Sequence, residues 1–343
     1  MGEESDFWDR SAALSEIMIR GDASRLIRYA RQWNAVCHTG MFKNWTPVIV
    51  CGQHSGFVTP EMKAVVKNFP ELFSVNEHSV ELNRKFSTCE ERSLAVGKFI
   101  ETLRKQRKPG DPFYKAFDYW RNEVYDVWGS KHDVPLLQME RSCMWVLQSA
   151  LGCVGLLGFR HYAVFLNGFV RHPERGLCVW FQKRALSKTT WPGKWDVMAG
   201  GGTTSGQKVR ESVMREACEE ASIKLDWMDA RIRFAGCVSF FHQDPRGIFP
   251  NVYHVFDVEL DPDLSPEPGD GEASEFQLLD TAEALDLVCS GQFKMTSGPV
   301  VVDFLIRHGV INPDEEPYYA ELVEHLHAPL HIPHGCFQSN GYE

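Results

Sequence analysis

The sequence predicts an α/β fold in which a mixed β-sheet lies between helices, preceded by a separate α+β domain. After His161 the chain reads as a series of short apolar strands joined by turns. One amphipathic helix follows three consecutive glycines, Gly200 to Gly202, and two more helical patterns lie near the C-terminus. Several strands with few helices are typical of a sheet that helices cover on both faces, an α/β/α sandwich. The length of 343 residues suits two domains.

Residues 1–140 are predicted to form the N-terminal α+β domain. Thr59 precedes Pro60 as a predicted N-cap, and Thr88 with Glu91 forms a capping-box pattern, so a helix is expected after each. The predicted elements are a helix near residues 26–33, a strand at 46–51, a helix from 60, a strand at 73–82 and a helix from 89.

Residues 141–325 are predicted to form the second domain, followed by a loosely ordered tail at 326–343. Residues 142–159 carry no charge, but their glycines and polar side chains favour a buried helix and strand over a membrane span. The elements predicted after it are strands at 162–170, 176–183, 195–199, 231–241 and 251–260, the helix after the glycines, and helices at 281–289 and 299–308.

The composition excludes several function classes. A net charge of −10 argues against a protein that binds nucleic-acid backbones. None of the ten cysteines forms a C-x-x-C pair, which argues against a zinc site and favours a reducing compartment. The acidic start lacks the apolar core of a signal peptide and is unlike a transit peptide, so a cytoplasmic location without a membrane partner is predicted.

The helix after the glycines carries Glu216, Glu219 and Glu220 at positions i, i+3 and i+4. This spacing places three carboxylates on one helical face, where like charges repel. A bound divalent cation would offset that repulsion, and Mg²⁺ in particular joins carboxylates to substrate phosphates. The alternative is a solvated acidic face, which is common on helices.

The stretch from Gly201 to Ile223 resembles the Nudix box, in which G, E, R-E-U, E-E and G-U, with U apolar, fall at fixed offsets. Gly201 takes the first position, Arg215-Glu216-Ala217 and Glu219-Glu220 the central ones, and Ile223 the last. Two positions depart from the pattern, because Gln207 replaces the first Glu and Ser222 replaces the late Gly. Glu211, one helical turn after Gln207, is a candidate substitute.

The resemblance extends over most of the chain, to the Nudix hydrolases related to the N-terminal half of fungal thiamine pyrophosphokinase. It implies hydrolysis of damaged thiamine diphosphates, such as oxothiamine or oxythiamine diphosphate, to the monophosphate. The stretches that carry it, besides the box, are Gly56–Glu61, Trp120–Glu123, Glu140–Ser142, Leu166–Gly168, Asp270–Glu272 and Asp303–Gly309.

The family pattern implies a role for each box residue. Glu216, Glu219 and Glu220 would hold Mg²⁺, with Mn²⁺ as an alternative, and Arg215 would orient the carboxylates. The backbone of Gly200, Gly201 and Gly202 could approach a substrate closely, since glycine has no Cβ. Glu272 matches a loop glutamate that Nudix enzymes use as general base or metal ligand. Its alternatives are an ordinary surface carboxylate, and Glu275 as the base.

Four other side chains are candidates for contacts with the organic part of a substrate: Phe240, Phe241, His242 and Trp120. Each is equally suited to packing in the core. The predicted partner is a small-molecule diphosphate. Two further functions remain open, namely hydrolysis of oxidised nucleoside diphosphates such as 8-oxo-dGDP, and a catalytically silent binding module, which Gln207 favours. The oligomeric state does not follow from the sequence.

Overall fold

A computed structural model describes residues 24–35, 41–111, 114–117, 124–129, 135–140, 152–188, 190–203, 205–244 and 246–332. Trp120 and residues 142–151 of the uncharged stretch lie outside the described residues. No helix in the described ranges is long and apolar enough to cross a membrane.

The N-terminal region contains a four-stranded sheet in the order β2-β1-β4-β3, with β1 and β4 parallel. Its elements are α1 Arg25–Trp33, β1 Thr46–Val50, β2 Gln53–Val58, α2 Pro60–Val66, β3 Phe73–Val75, β4 Val80–Leu82 and α3 Cys89–Gln106, followed by a strand pair, β5 Val124–Val127 and β6 Leu137–Glu140.

The starts of helices α2 and α3, predicted from their caps, are confirmed. The Thr59 hydroxyl accepts the Met62 amide at the start of α2. Thr88 and Glu91 form the reciprocal capping box of α3. The single strand predicted over 73–82 is wrong, because the Asn76 side chain accepts two backbone amides and turns the chain into the β3–β4 hairpin.

The second region is built on a seven-stranded mixed sheet. Its central order is β11-β12-β7-β8-β13, with β10 paired to β7 and β9 paired to β8. Only the β12–β7 pairing is parallel. The elements are α4 Gly152–Leu156, β7 His161–His172, β8 Gly176–Arg184, β9 Trp195–Val197, β10 Ala199–Gly202, α5 Val209–Ala221, α6 Leu225–Asp229, β11 Arg233–Asp244, β12 Gly247–Glu259, β13 Ala273–Asp280, α7 Thr281–Val288, α8 Gly298–Arg307 and α9 Tyr319–Leu326.

Helices cover both faces of this sheet, as the sequence predicts. Alternate residues of β7 point to opposite faces, so Val164 packs with α5 and α6 while Phe165 packs with α7, α8 and α9. Helix α1 lies in the second of these layers, where Trp33 is fully buried and Arg31 pairs with Glu321 at 2.7 Å. Helix α1 therefore completes the helical layer of the second sheet.

The N-terminal sheet and the seven-stranded sheet share an aromatic contact. The Phe241 ring on β11 lies 5.8 Å from Trp45 and 6.3 Å from Phe57, measured between centroids. Phe240 is also buried and packs edge-to-face against Tyr253. The two phenylalanines that the sequence offers as substrate contacts are therefore core residues.

Residues 326–332 are packed, although the sequence predicts a loose tail from residue 326. The Ala328 amide donates to the Ser239 carbonyl on β11, and the Ser239 hydroxyl donates back to the Ala328 carbonyl. Leu330 and Ile332 are buried in the N-terminal core. Hydrogen bonds to the edge strand β11 thus hold this segment in place. A pairing between residues so far apart in the chain has no local sequence pattern that would predict it.

Candidate active site

A cleft of about 220 Å³ opens beside the Gly-rich strand β10 and the acidic helix α5. The loop between β8 and β9 and the ends of β11 and β12 form its other walls. Residues that line it include Arg184, Lys188, Trp191, Gly200, Gly201, Gly202, Arg215, Glu216, Glu219, Glu220, His242, Arg246, Phe249, Glu272 and Lys294. The cleft therefore brings together all eight site residues predicted from the sequence.

Strand β10 brings its backbone directly against the acidic helix. Gly201 pairs with Val164 of β7, and a Cβ on Gly201 would lie 2.3 Å from Oε1 of Glu216. Any side chain at this position would displace the carboxylate. The glycine of the box thus leaves room for the Glu216 carboxylate beside the strand.

Arg215 holds two of the predicted carboxylates. Its guanidinium donates to Glu216 Oε1 at 2.7 Å and to Glu219 Oε2 at 2.6 Å. The second contact is an i,i+4 pair along the helix, and Glu219 is half exposed. The orienting role that the family implies for Arg215 is consistent with these bonds.

Glu220 points into the protein, away from Arg215. It is buried, and its Oε2 accepts the Gly200 amide at 2.9 Å and the Gln182 side-chain amide at 3.0 Å. Burial, and then the nearby Glu216 carboxylate, raise the pKa of Glu220 to about 7, while Lys188 and the Gly200 amide oppose the rise. The two glutamates thus repel each other across the base of the cleft.

In the described part of the chain, no three acidic, histidine or cysteine side chains are grouped closely enough to hold a metal as they stand. Arg215 donates hydrogen bonds to the carboxylates of Glu216 and Glu219. The Glu220 carboxylate accepts the Gly200 amide. The donor set nevertheless fits a hard divalent cation, because it consists of carboxylate oxygens. A cation would also relieve the repulsion by which Glu216 raises the pKa of Glu220.

The two departures from the box pattern have different structural consequences. Gln207 is half-buried and accepts the Ser212 hydroxyl at 3.3 Å, ahead of helix α5. Glu211 is exposed in the first turn, where its carboxylate accepts the Lys208 amide. It therefore acts as an N-terminal cap in this structure.

Ser222 caps the C-terminus of α5 in a left-handed conformation, with φ of 56°.

Replacement of Ser222 by glycine is expected to stabilise the protein by about 1 kcal/mol, because a left-handed residue with a Cβ is strained. The free energy of unfolding in urea measures the effect. Ser222→Ala is the matched control, since alanine keeps the Cβ and gains nothing. Equal stability of the glycine and alanine variants would contradict this interpretation of the cap.

Glu272 lies in the cleft wall and pairs with Lys188, a residue that the sequence does not single out. Both side chains are largely buried, and the Ala185 amide donates to the Glu272 carbonyl at 2.8 Å. Glu275 instead pairs with Lys183 at 2.8 Å on the half-exposed strand surface. Of the two candidate bases, Glu272 is the one that faces the cleft.

A polar array lies in the cleft wall at the β11–β12 turn. Asp244 accepts hydrogen bonds from the Arg246 guanidinium, and His242 Nε2 lies 3.4 Å from the same carboxylate. Burial opposes ionisation of Asp244, but Arg246 and His242 hold its pKa well below the usual range. Arg246 also lies over the Phe249 ring, 5.2 Å from the centroid. The sequence marks His242 as a candidate but does not single out Asp244 or Arg246.

A buried ion triad supports the floor of the cleft. Asp196 Oδ2 accepts Lys294 Nζ at 2.7 Å and lies 3.3 Å from Nη1 of Arg184. Arg184 and Lys294 line the cleft, so two cations share one carboxylate there. The sequence gives no signal for this triad, because its members come from three separate elements.

A mixed sheet between helices, with a Gly-rich strand beside an acidic helix at a charged cleft, is consistent with metal-assisted hydrolysis of phosphate anhydrides. Two family models match the chain: a domain of unknown function, DUF4743, over residues 25–148, and the NUDIX domain over residues 161–297. The chain belongs to the Nudix hydrolase family, with a DUF4743 domain preceding the catalytic domain.

Relatives share both regions. The chain is 30% identical over 290 residues to the uncharacterised protein YJR142W of Saccharomyces cerevisiae, covering 81% of this chain and 80% of the relative. It is 30% identical over 296 residues to "Nudix hydrolase 24, chloroplastic" of Arabidopsis thaliana, covering 84% and 75%. A solved structure of the Nudix domain of Shewanella oneidensis NrtR with ADP ribose is 16% identical, with a TM-score of 0.34, covering 44% of this chain and 89% of that one.

Proposed function

We propose that this Nudix hydrolase is Mg²⁺-dependent and cleaves the diphosphate of damaged thiamine diphosphates, such as oxothiamine or oxythiamine diphosphate, to the monophosphate and phosphate. The observation that carries the hydrolytic part is the arrangement of Glu216, Glu219 and Glu220 with Arg215 beside the Gly-rich strand. The substrate rests on the sequence resemblance to the thiamine-pyrophosphokinase-related subfamily. A cytoplasmic location is part of the same proposal.

The proposed reaction is attack of water on the terminal phosphorus. The bond from that phosphorus to the bridging oxygen breaks, so phosphate and a monophosphate leave. Glu216, Glu219 and Glu220 would hold the divalent cation, which would neutralise the diphosphate and lower the pKa of the water. Arg215 orients Glu216 and Glu219 through its two hydrogen bonds.

Glu272 is proposed to take the proton of the attacking water. Glu272 lines the cleft, Lys188 pairs with its carboxylate, and the Ala185 amide holds its backbone carbonyl. A general base must lie within hydrogen-bond reach of the water, and a fixed carboxylate on the cleft wall meets that requirement better than a mobile one.

Glu272→Gln is expected to lower kcat by about 10²-fold or more, the usual contribution of a general base. Binding of Mn²⁺ should be retained, because Glu272 is proposed as base and not as ligand. Glu275→Gln is the matched control and should keep kcat, since Glu275 lies with Lys183 on the strand surface. Equal losses in both variants would contradict the assignment.

The experiment that tests the function is Mg²⁺-dependent phosphate release from oxythiamine diphosphate, thiamine diphosphate, 8-oxo-dGDP and ADP-ribose. Preference for oxythiamine diphosphate, lost in Glu219→Gln, would support the proposal. Preference for 8-oxo-dGDP would retain the mechanism and replace the substrate. No turnover with any divalent metal would favour a silent binding module, the function that Gln207 in the box suggests.

A further inference from the structure

Trp191 stands out among the aromatic side chains of the cleft. Four phenylalanine, tyrosine or tryptophan side chains line the cleft within the described residues, and three of them are packed in the core. Phe165, Phe249 and Tyr253 are only 3%, 1% and 2% exposed, whereas Trp191 is half-buried. Of these four side chains, Trp191 is therefore the most exposed.

Protein cations already lie over two of the buried rings. Lys294 Nζ is 5.2 Å from the centroid of Phe165, and the Arg246 guanidinium is 5.2 Å from that of Phe249. A ligand ring could reach either face only by displacing a charged side chain that is also paired with a carboxylate. The surroundings of these two rings are therefore suited to charged groups of a ligand, and Trp191 is the remaining candidate for contact with a planar group.

The backbone of Trp191 is held in an unfavourable conformation. Its φ is 54°, in the left-handed region that a large side chain rarely adopts. Arg184 donates two hydrogen bonds to the Thr190 carbonyl, at 2.9 and 3.3 Å, and the Lys194 amide donates to the Trp191 carbonyl at 3.3 Å. These bonds fix the segment that places the tryptophan at the cleft, and strain of this kind clusters at ligand-binding sites.

The same loop presents a second apolar side chain. Leu186 is 85% exposed, and it lies over Gly193, where a Cβ would be 3.0 Å from Leu186 Cδ2. Trp191 precedes this glycine by two residues. The β8–β9 loop therefore carries an exposed leucine as well as the half-buried tryptophan that lines the cleft.

We propose that Trp191 forms a stacking subsite for the planar heteroaromatic group of the substrate, on the loop between β8 and β9. This rests on the proposed function, because the diphosphate must lie at the box helix for its organic group to reach the loop. Aromatic stacking accepts any flat ring, so the subsite selects ring-bearing diphosphates over ringless ones.

The test compares binding of oxythiamine diphosphate and 8-oxo-dGDP, which carry rings, with isopentenyl diphosphate, which does not. Calorimetry with the full chain and Ca²⁺ in place of Mg²⁺ measures each dissociation constant. Trp191→Gly is expected to weaken ring-bearing ligands about tenfold and leave isopentenyl diphosphate within about threefold. Trp191→Phe should retain most of the preference, because it keeps an aromatic face.

Trp227→Phe is the matched control, since Trp227 lies on α6 and bonds Asp261 away from the cleft. The subsite proposal would be contradicted if Trp191→Gly weakened the binding of all three ligands equally, or weakened none of them. It would also be contradicted if the wild-type protein bound no ring-bearing diphosphate. Binding of 8-oxo-dGDP but not oxythiamine diphosphate, with the Trp191 effect intact, would contradict the thiamine proposal and support the subsite.

Discussion

Glu216→Gln is expected to lower Mg²⁺-dependent turnover by about 10³-fold or more, since several kcal/mol of metal-derived stabilisation would be lost. Glu216 is the carboxylate against Gly201, and it also bonds Arg215. The amide keeps the shape of the side chain but removes the charge that a cation requires. The assay is phosphate release from the best substrate of the panel over a range of Mg²⁺ concentrations.

Cys218→Ser is the matched control for this variant. Cys218 lies on the same helix between the box glutamates, but its side chain is exposed and carries no carboxylate. Its turnover should stay within about twofold of the wild type, as surface substitutions usually have small effects. Turnover by Glu216→Gln at the wild-type rate would show that the metal is held elsewhere.

Asp196→Ala is expected to destabilise the protein by about 3–5 kcal/mol, because it leaves buried cations without their shared anion. Arg184 and Lys294 both contact Oδ2 of Asp196. Burial opposes ionisation of Asp196, but Lys294 and Arg184 hold its pKa below the usual range. Asp196 therefore stabilises the folded protein above the ordinary pKa of an aspartate. This stabilisation is lost as the pH falls through the lowered pKa of Asp196 in the folded state.

The free energy of unfolding in urea at pH 7 measures this cost. The double variant Asp196→Ala with Lys294→Met should recover part of the stability, because it removes one of the unpaired cations. Glu275→Ala is the comparison on the surface. Its ion pair with Lys183 is half exposed, so its loss should cost about 1 kcal/mol or less. Equal costs for Asp196→Ala and Glu275→Ala would contradict the triad.

The features that the sequence predicts correctly depend on local spacing. Thr59 caps α2, and Thr88 with Glu91 caps α3, because a few neighbouring residues determine each geometry. The helices after Asp280 and Ser297 follow from their apolar periodicity. The family pattern then places Arg215 with Glu216 and Glu219, and the structure brings the three together.

The features that the sequence does not predict depend on contacts between distant segments. Lys188 meets Glu272 because the loop after β8 packs beside β13, and neither residue has a local pattern that marks it. Strand β13 is itself not predicted, since a register shift near Ala273 interrupts its alternation. An apolar residue in a strand, such as Phe241, could contact a substrate or pack in the core. Only its contacts with Trp45 and Phe57 identify it as a core residue.

The most direct test of the proposed metal site is a titration of the full chain with Mn²⁺, followed by electron paramagnetic resonance of the free ion. Mn²⁺ is expected to bind to the wild type, and Glu216→Gln should weaken that binding about tenfold or more, a typical cost of losing one contributor to a metal site. Cys218→Ser should bind as the wild type does. Equal binding to the wild type and Glu216→Gln would contradict a metal site on the box helix, and with it the proposed mechanism.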